Sequence, residues 1–107
     1  MGAIKKTEPS VSLSQVKIEV LNGTRINGLA ANTAEFLRQK GLNIVEIGNA
    51  SVRTAKQTII YYPSGSKDIA LKLAHIIPRA QYIQLGKLPA DHIRIVLGKN
   101  MKGFTGM

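Results

Sequence analysis

Apolar and polar residues alternate along several short stretches of the chain, and between them apolar residues recur at three- and four-residue spacings. Val16, Ile18 and Val20 share one side of an extended segment while Lys17 and Glu19 share the other, which is the period of two of a half-buried strand. Leu21 interrupts the polar side. After a polar turn, Leu29, Ala30, Thr33, Ala34, Phe36 and Leu37 fall on one face of a helix, with Asn32, Glu35, Arg38 and Gln39 opposite. Asn27 is the expected N-cap, Gly41 the expected left-handed stop, and Arg38 and Lys40 complement the negative end of the helix dipole. Leu42 to Ile47 reads as a second strand running into Gly48-Asn49-Ala50, and residues 51–56 as a polar loop. Gln57 to Tyr62 is the run richest in β-forming residues and predicts a third strand closed by Pro63-Ser64-Gly65. Ser66 then caps a second helix with Asp68 in its first turn. Ile69, Ala70, Leu73, Ala74, Ile76 and Ile77 form its apolar face, and Pro78 ends it. Gln81 to Leu85 and His92 to Leu97 complete the pattern as fourth and fifth strands.

The order β-α-β-β-α-β-β predicts an α/β protein, an α+β two-layer sandwich with a mixed sheet of about five strands and both helices on one face. A helical connection between parallel strands crosses over with one hand. Gly86 to Asp91 is short enough to join the last two strands as a hairpin. Residues 15–100 form the expected domain, residues 1–14 a disordered linker or arm, and 101–107 a flexible tail. An abrupt start is also what a shortened chain looks like, so a membrane anchor or a catalytic domain upstream is compatible with this reading.

Polar chemistry concentrates where the first strand meets the first helix, in Asn22-Gly23-Thr24-Arg25-Ile26-Asn27-Gly28. The helix would turn its free N–H groups and positive dipole end toward this turn, so Asn22, Gly23, Thr24, Arg25, Asn27 and Gly28 are candidate ligand-binding residues for a carboxylate or phosphate. Alternatively, the same residues serve only the backbone geometry of a tight connection. The Gly23-x4-Gly28 spacing mimics a phosphate loop, but Leu29-Ala30 stand where Lys and Ser or Thr would be needed. Tyr61 and Tyr62 are adjacent on a strand, so one faces the helices and one faces out, and with Tyr82 an exposed aromatic platform for sugars or bases is conceivable. Two histidines, His75 and His92, are too few for a metal site without carboxylate help, and Asp91 points away from its neighbour His92. Glu19 and Glu46 are the only carboxylates that neighbouring strands would pair, and solvated charges on an outer face account for them. No catalytic residue, metal or cofactor is expected. Asn22-Gly23-Thr24 fits a glycosylation acceptor, which matters only in a secreted eukaryotic chain.

Composition sharpens this only in part. The 107 residues make one core large enough to fold without staples, and cysteine is absent, which excludes disulfides and thiol chemistry. Fifteen Lys and Arg against six Asp and Glu give a formal charge of +9. Such a charge favours anionic partners, although the basic residues are scattered and Lys5, Lys6, Lys99 and Lys102 lie toward the two ends. No apolar run approaches the roughly 20 residues of a membrane helix, and the N-terminus carries neither a signal-peptide core nor a myristoylation pattern.

Val20-Leu21-Asn22-Gly23-Thr24, Gly28-Leu29-Ala30, the run from Gly41 to Ala50, Thr58 to Tyr62 and Ile95 to Asn100, in this order, resemble the LytR C-terminal domain family over about Val16 to Asn100. The resemblance implies a small α/β module of bacterial LytR-CpsA-Psr cell-envelope proteins, whose separate catalytic domain attaches anionic glycopolymers to peptidoglycan. It carries no catalytic residue onto this chain. A non-catalytic extracytoplasmic accessory module is therefore expected, with cell-wall glycan, an anionic wall polymer or an envelope protein as partner, and with membrane attachment only through an anchor upstream. Two alternatives stand beside it: a single-stranded nucleic-acid binder using the sheet face, and a structural or dimerisation module.

Overall fold

A computed structural model of the protein describes residues 15–77 and 79–101. The arm expected over 1–14, residues 102–107 of the tail expected over 101–107, and Pro78 as helix stop lie outside these residues; Met101 itself is buried in the final 3₁₀ turn. Five strands and two helices follow in the order β1 (Lys17–Asn22), α1 (Leu29–Gln39), β2 (Asn43–Asn49), β3 (Ile59–Tyr62), α2 (Lys67–Ile76), β4 (Gln81–Gln84) and β5 (His92–Leu97), with a final 3₁₀ turn, Lys99–Met101. They form one mixed sheet in the order β2-β1-β5-β3-β4, in which β1 is parallel to β2 and β5, β3 is antiparallel to β5, and β4 is parallel to β3. The two-layer α/β fold expected from the periodicities is thus present.

The alternation of each strand decides which face holds the core. Ile18 and Val20 of β1, Ile93, Ile95 and Leu97 of β5, Ile60 and Tyr62 of β3 and Ile44 of β2 join Leu29, Ala30, Ala34 and Leu37 of α1 and Ile69, Ala70 and Leu73 of α2 in one buried cluster. The two helices therefore lie on the same side, each bridging a parallel pair of strands at one end of the sheet. At its far end α1 closes on Gly41 at φ +88°, as its sequence predicts.

Three local expectations are corrected. Gly28, not Asn27, is the N-cap of α1; its φ of 77° swings the chain from the turn into the helix, a conformation glycine adopts without a steric penalty, and no side chain caps the helix. Residues 86–91 do not make a hairpin, because β5 pairs with β1 and β3 while β4 pairs only with β3. Burial explains the order: three side chains of β5 are almost wholly enclosed and need a central position, whereas all four residues of β4 are exposed and suit an edge. Tyr61 and Tyr82 make no shared platform, since Tyr82 is in register with Ile60 on the helix side and its ring centre lies 6.4 Å from that of Tyr62.

Candidate functional site

Among the described residues, no third layer covers the face of the sheet away from the helices. Its floor is built of two rows that cross the strands in register. Glu19 of β1 pairs with Arg94 of β5, which pairs with Tyr61 of β3, so acid, base and aromatic ring stand side by side on three adjacent strands. One step toward the other end, Leu21 pairs with Val96 and Val96 with Ile59, an apolar row parallel to the polar one. Residues opposite one another on neighbouring strands have Cβ atoms about 4.5–5.5 Å apart, so each row acts as one surface.

Two chain crossings wall this floor. The segment of residues 50–57, which carries the chain from edge strand β2 to β3, forms one wall, and residues 85–91, which return it from edge strand β4 to central β5, supply the other. Between them lies an open groove of about 680 Å³, lined by Asn49, Ser51, Val52 and Gln57 on the first side, Leu85 and Lys87 on the second, and the two floor rows beneath.

The first wall is stitched to the strand ends. Ala50 N–H donates to Asn22 O at 3.0 Å, Ala55 N–H to Gly23 O at 2.9 Å, Lys99 N–H to Ala55 O at 3.0 Å and Asn100 N–H to Lys56 O at 3.2 Å. The Arg53 guanidinium donates through Nε to Thr24 O at 2.7 Å, and the Thr58 hydroxyl accepts from Gly98 N–H at 3.0 Å while donating to Asn100 Oδ1 at 2.9 Å. Close backbone approaches require glycine at two points here: a Cβ on Gly23 would lie 2.7 Å from Leu97 O at the end of neighbouring β5, and one on Gly98 2.5 Å from backbone atoms of Gln57 in the crossing chain.

This places the residues singled out by sequence in four settings. Asn22, Gly23 and Thr24 are buried, and the polar atoms of the two side chains are bonded within the turn. Asn22 Nδ2 donates to Ile26 O at 2.8 Å, Asn22 Oδ1 accepts from both the backbone and the hydroxyl of Thr24, and Thr24 Oγ1 accepts from Ile26 N–H. Arg25, Asn27 and Gly28 are exposed beside them, and none of the residues from Asn22 to Gly28 lines the groove. Tyr61 lies on the groove floor, and Tyr62, on the opposite face, is packed into the core.

Alternation put Glu19 on the polar side of its strand and paired it only with Glu46; the structure makes Glu19 and Arg94 the polar centre of the groove. Arg94 Nε donates to Glu19 Oε1 at 2.8 Å, and His92 Nε2 lies 3.5 Å from the same oxygen. Burial of the Glu19 carboxyl pushes its pKa up, but the hydrogen bond and charge of Arg94, followed by those of His92, outweigh it and hold the group below its ordinary 4.5. This is opposite to the raised pKa of a general acid, so Glu19 is not tuned for that role. Because the folded state lowers this pKa, the ionised carboxylate stabilises the fold above about pH 4.5, and that stabilisation is lost as pH falls through the lower folded value. Thermal melts from pH 7 to pH 3 are expected to show it. Glu19→Gln should flatten the acid limb relative to the parent, and an unchanged limb would remove Glu19 as its source. By contrast Lys17 and Asp91, 3.7 Å apart and about half exposed, form an ion pair worth little. Among the described residues no group of three or more His, Asp or Glu side chains is placed to hold a metal, and no helix is long and apolar enough to cross a membrane.

In its fold the chain is similar to the crystal structure of the soluble domain of a conserved hypothetical secreted protein from Mycobacterium marinum. The TM-score is 0.70 at 24% sequence identity, over 82% of this chain and 62% of that one. The chain thus spans less than two thirds of that solved domain, and the likeness is one of fold. No curated protein matches the sequence. Residues 15–100 match the family described as LytR cell envelope-related transcriptional attenuator, a stretch that takes in both helices and all five strands. As its signature segments lead one to expect, the chain belongs to the LytR C-terminal family, the accessory modules of cell-envelope proteins.

Proposed function

We propose that this domain is a non-catalytic binding module of an extracytoplasmic cell-envelope protein, and that the groove on its open sheet face takes up a wall glycan. The observation that carries the reading is the composition of that groove: one aromatic ring, Tyr61, in the same row as the paired charges and next to the apolar row, with amide and hydroxyl side chains along one wall. Sugars present apolar ring faces and a rim of hydroxyls, and they are held by an aromatic face together with preplaced hydrogen-bonding groups. The secreted M. marinum protein of similar fold and the envelope context of the family support an extracytoplasmic setting. A net charge of +9 speeds encounter with the anionic polymers of a bacterial wall.

Titration of purified peptidoglycan fragments and teichoic-type polymers, with salt varied, tests this. Tyr61→Leu keeps apolar cover over the floor and removes the ring face, and is expected to weaken binding about tenfold. Arg25→Ala, on the exposed turn, is expected to change neither affinity nor stability by more than about 0.5 kcal/mol. The reverse outcome, with Arg25→Ala weakening binding and Tyr61→Leu silent, would move the site to the turn from Asn22 to Gly28.

A further inference from the structure

We infer that Arg94, backed by Lys87, receives an acid group of the ligand, so that the glycan taken up is one whose repeating unit carries a phosphate or a carboxylate; this rests on the groove reading above. The charged side chains lining the groove are Glu19, Lys87 and Arg94, and Glu19 is already engaged by Arg94. The remaining charge on its surface is therefore positive.

Geometry adds to the sign. The Arg94 contact with Glu19 runs through Nε at 2.8 Å, and the side chain is 36% exposed while lining the groove. With Nε committed, the terminal amino groups of the guanidinium are the donors that a visitor meets, and their plane is held by the bond behind them. A planar, pre-oriented fork matches the paired oxygens of carboxylate and phosphate, whereas neutral hydroxyls are served as well by Asn49, Ser51 and Gln57. Glu19 is thus a positioning residue, turned to its task by Arg94 on one side and His92 on the other. Tyr61, in register with Arg94 on the next strand, lines the same groove floor. A sugar ring stacked there carries its acid substituent to the guanidinium.

Four probes separate the possibilities: a neutral oligosaccharide of N-acetylglucosamine, an oligogalacturonate, poly(glycerol phosphate) and an oligothymidylate, each titrated by calorimetry against the whole chain. At least one of the two acidic non-nucleotide probes is expected to bind about tenfold or more tightly than the neutral one, and the stronger of the two identifies phosphate or carboxylate. Arg94→Gln would leave Glu19 unpaired and endanger the fold. Arg94→Lys is therefore the test, since it keeps the charge opposite Glu19 and loses the fork, and Lys87→Gln is the second variant on an exposed side chain. Both should remove most of the preference for the acidic probe over the neutral one. Equal affinity for neutral and acidic probes, no binding of either acidic probe, or a preference untouched by Arg94→Lys while Tyr61→Leu still weakens binding, would overturn the acid-group assignment and leave the groove standing. If Tyr61→Leu changes nothing for any probe, the groove reading falls and the inference with it. Tighter, Arg94-dependent binding of the oligothymidylate would overturn the glycan in favour of single-stranded nucleic acid.

Discussion

Gly98→Ala is expected to destabilise the domain by about 3 kcal/mol, toward the upper end of what forced overpacking costs. The added Cβ would stand 2.5 Å from Gln57 N and Gln57 O, a separation that real side chains do not adopt. Relief by a rotamer change is not available, because the atoms in the way are backbone. Nor can the crossing chain simply lift, since Lys99 N–H to Ala55 O, Asn100 N–H to Lys56 O and Gly98 N–H to Thr58 Oγ1 hold it down within three residues of the clash. One of these bonds has to break, and each buried donor left unpaired adds about 1–3 kcal/mol. For a domain of this size a loss of about 3 kcal/mol lowers the melting temperature by roughly 10–20 °C. Hydrogen exchange at Ala55 and Lys99 should quicken first, because the wall of the groove detaches before the core opens. Gly86→Ala is the control: that site has no neighbour within 4 Å, and its change should stay within about 0.5 kcal/mol. A Gly98→Ala protein that melts with the parent would mean that the crossing chain runs elsewhere.

The same pair of glycines shows how far the sequence carries a reader. Gly23 and Gly98 belong to the segments that mark the family, and glycine in a turn invites a ligand-binding interpretation. In the structure they make room for another stretch of backbone, and Asn22 and Thr24 spend their polar atoms on the turn itself. A local signal of that kind cannot reveal its partner, which lies far along the chain: Leu97 for Gly23 and Gln57 for Gly98. Secondary structure was legible because periodicity is local: β5 begins and ends where alternation begins and ends. Strand order was not, since the short run from Gly86 to Asp91 fits a hairpin as well as a crossing; only the burial of Ile93, Ile95 and Leu97 against the exposure of Gln81 and Gln84 decides between them. For the groove, alternation showed that Glu19, Tyr61 or Tyr62, and Arg94 had to leave the core. Register alone brings Glu19, Arg94 and Tyr61 into one row, and register across nonsequential strands is a property of the folded sheet.

Leu37→Ala is expected to cost about 2–5 kcal/mol, the range for truncating an enclosed leucine. Leu37 has no exposed surface and stands in the last turn of α1, where the helix lies over β1 and β2. Truncation loses the transfer free energy of three carbons and leaves a void between two rigid layers. The helix cannot sink to fill it, because the Leu37 carbonyl anchors the closing turn by accepting from Lys40 N–H and Leu42 N–H. Arg38→Ala, one residue on and exposed, should change stability by no more than about 0.5 kcal/mol. The contrast tests more than packing. The sheet is a partition with the helices on one side and the groove on the other, so Leu37 supports β1 from behind while Glu19 and Leu21 of the same strand face the ligand. A chain carrying Leu37→Ala, held well below its lowered melting temperature, should therefore bind a glycan as the parent does, its apparent affinity falling only with the folded fraction. A cost near zero would mean that α1 does not bury this face. An affinity lost in protein that is demonstrably folded would mean that the helical layer shapes the groove directly, and the two faces of the sheet would then have to be treated as one site.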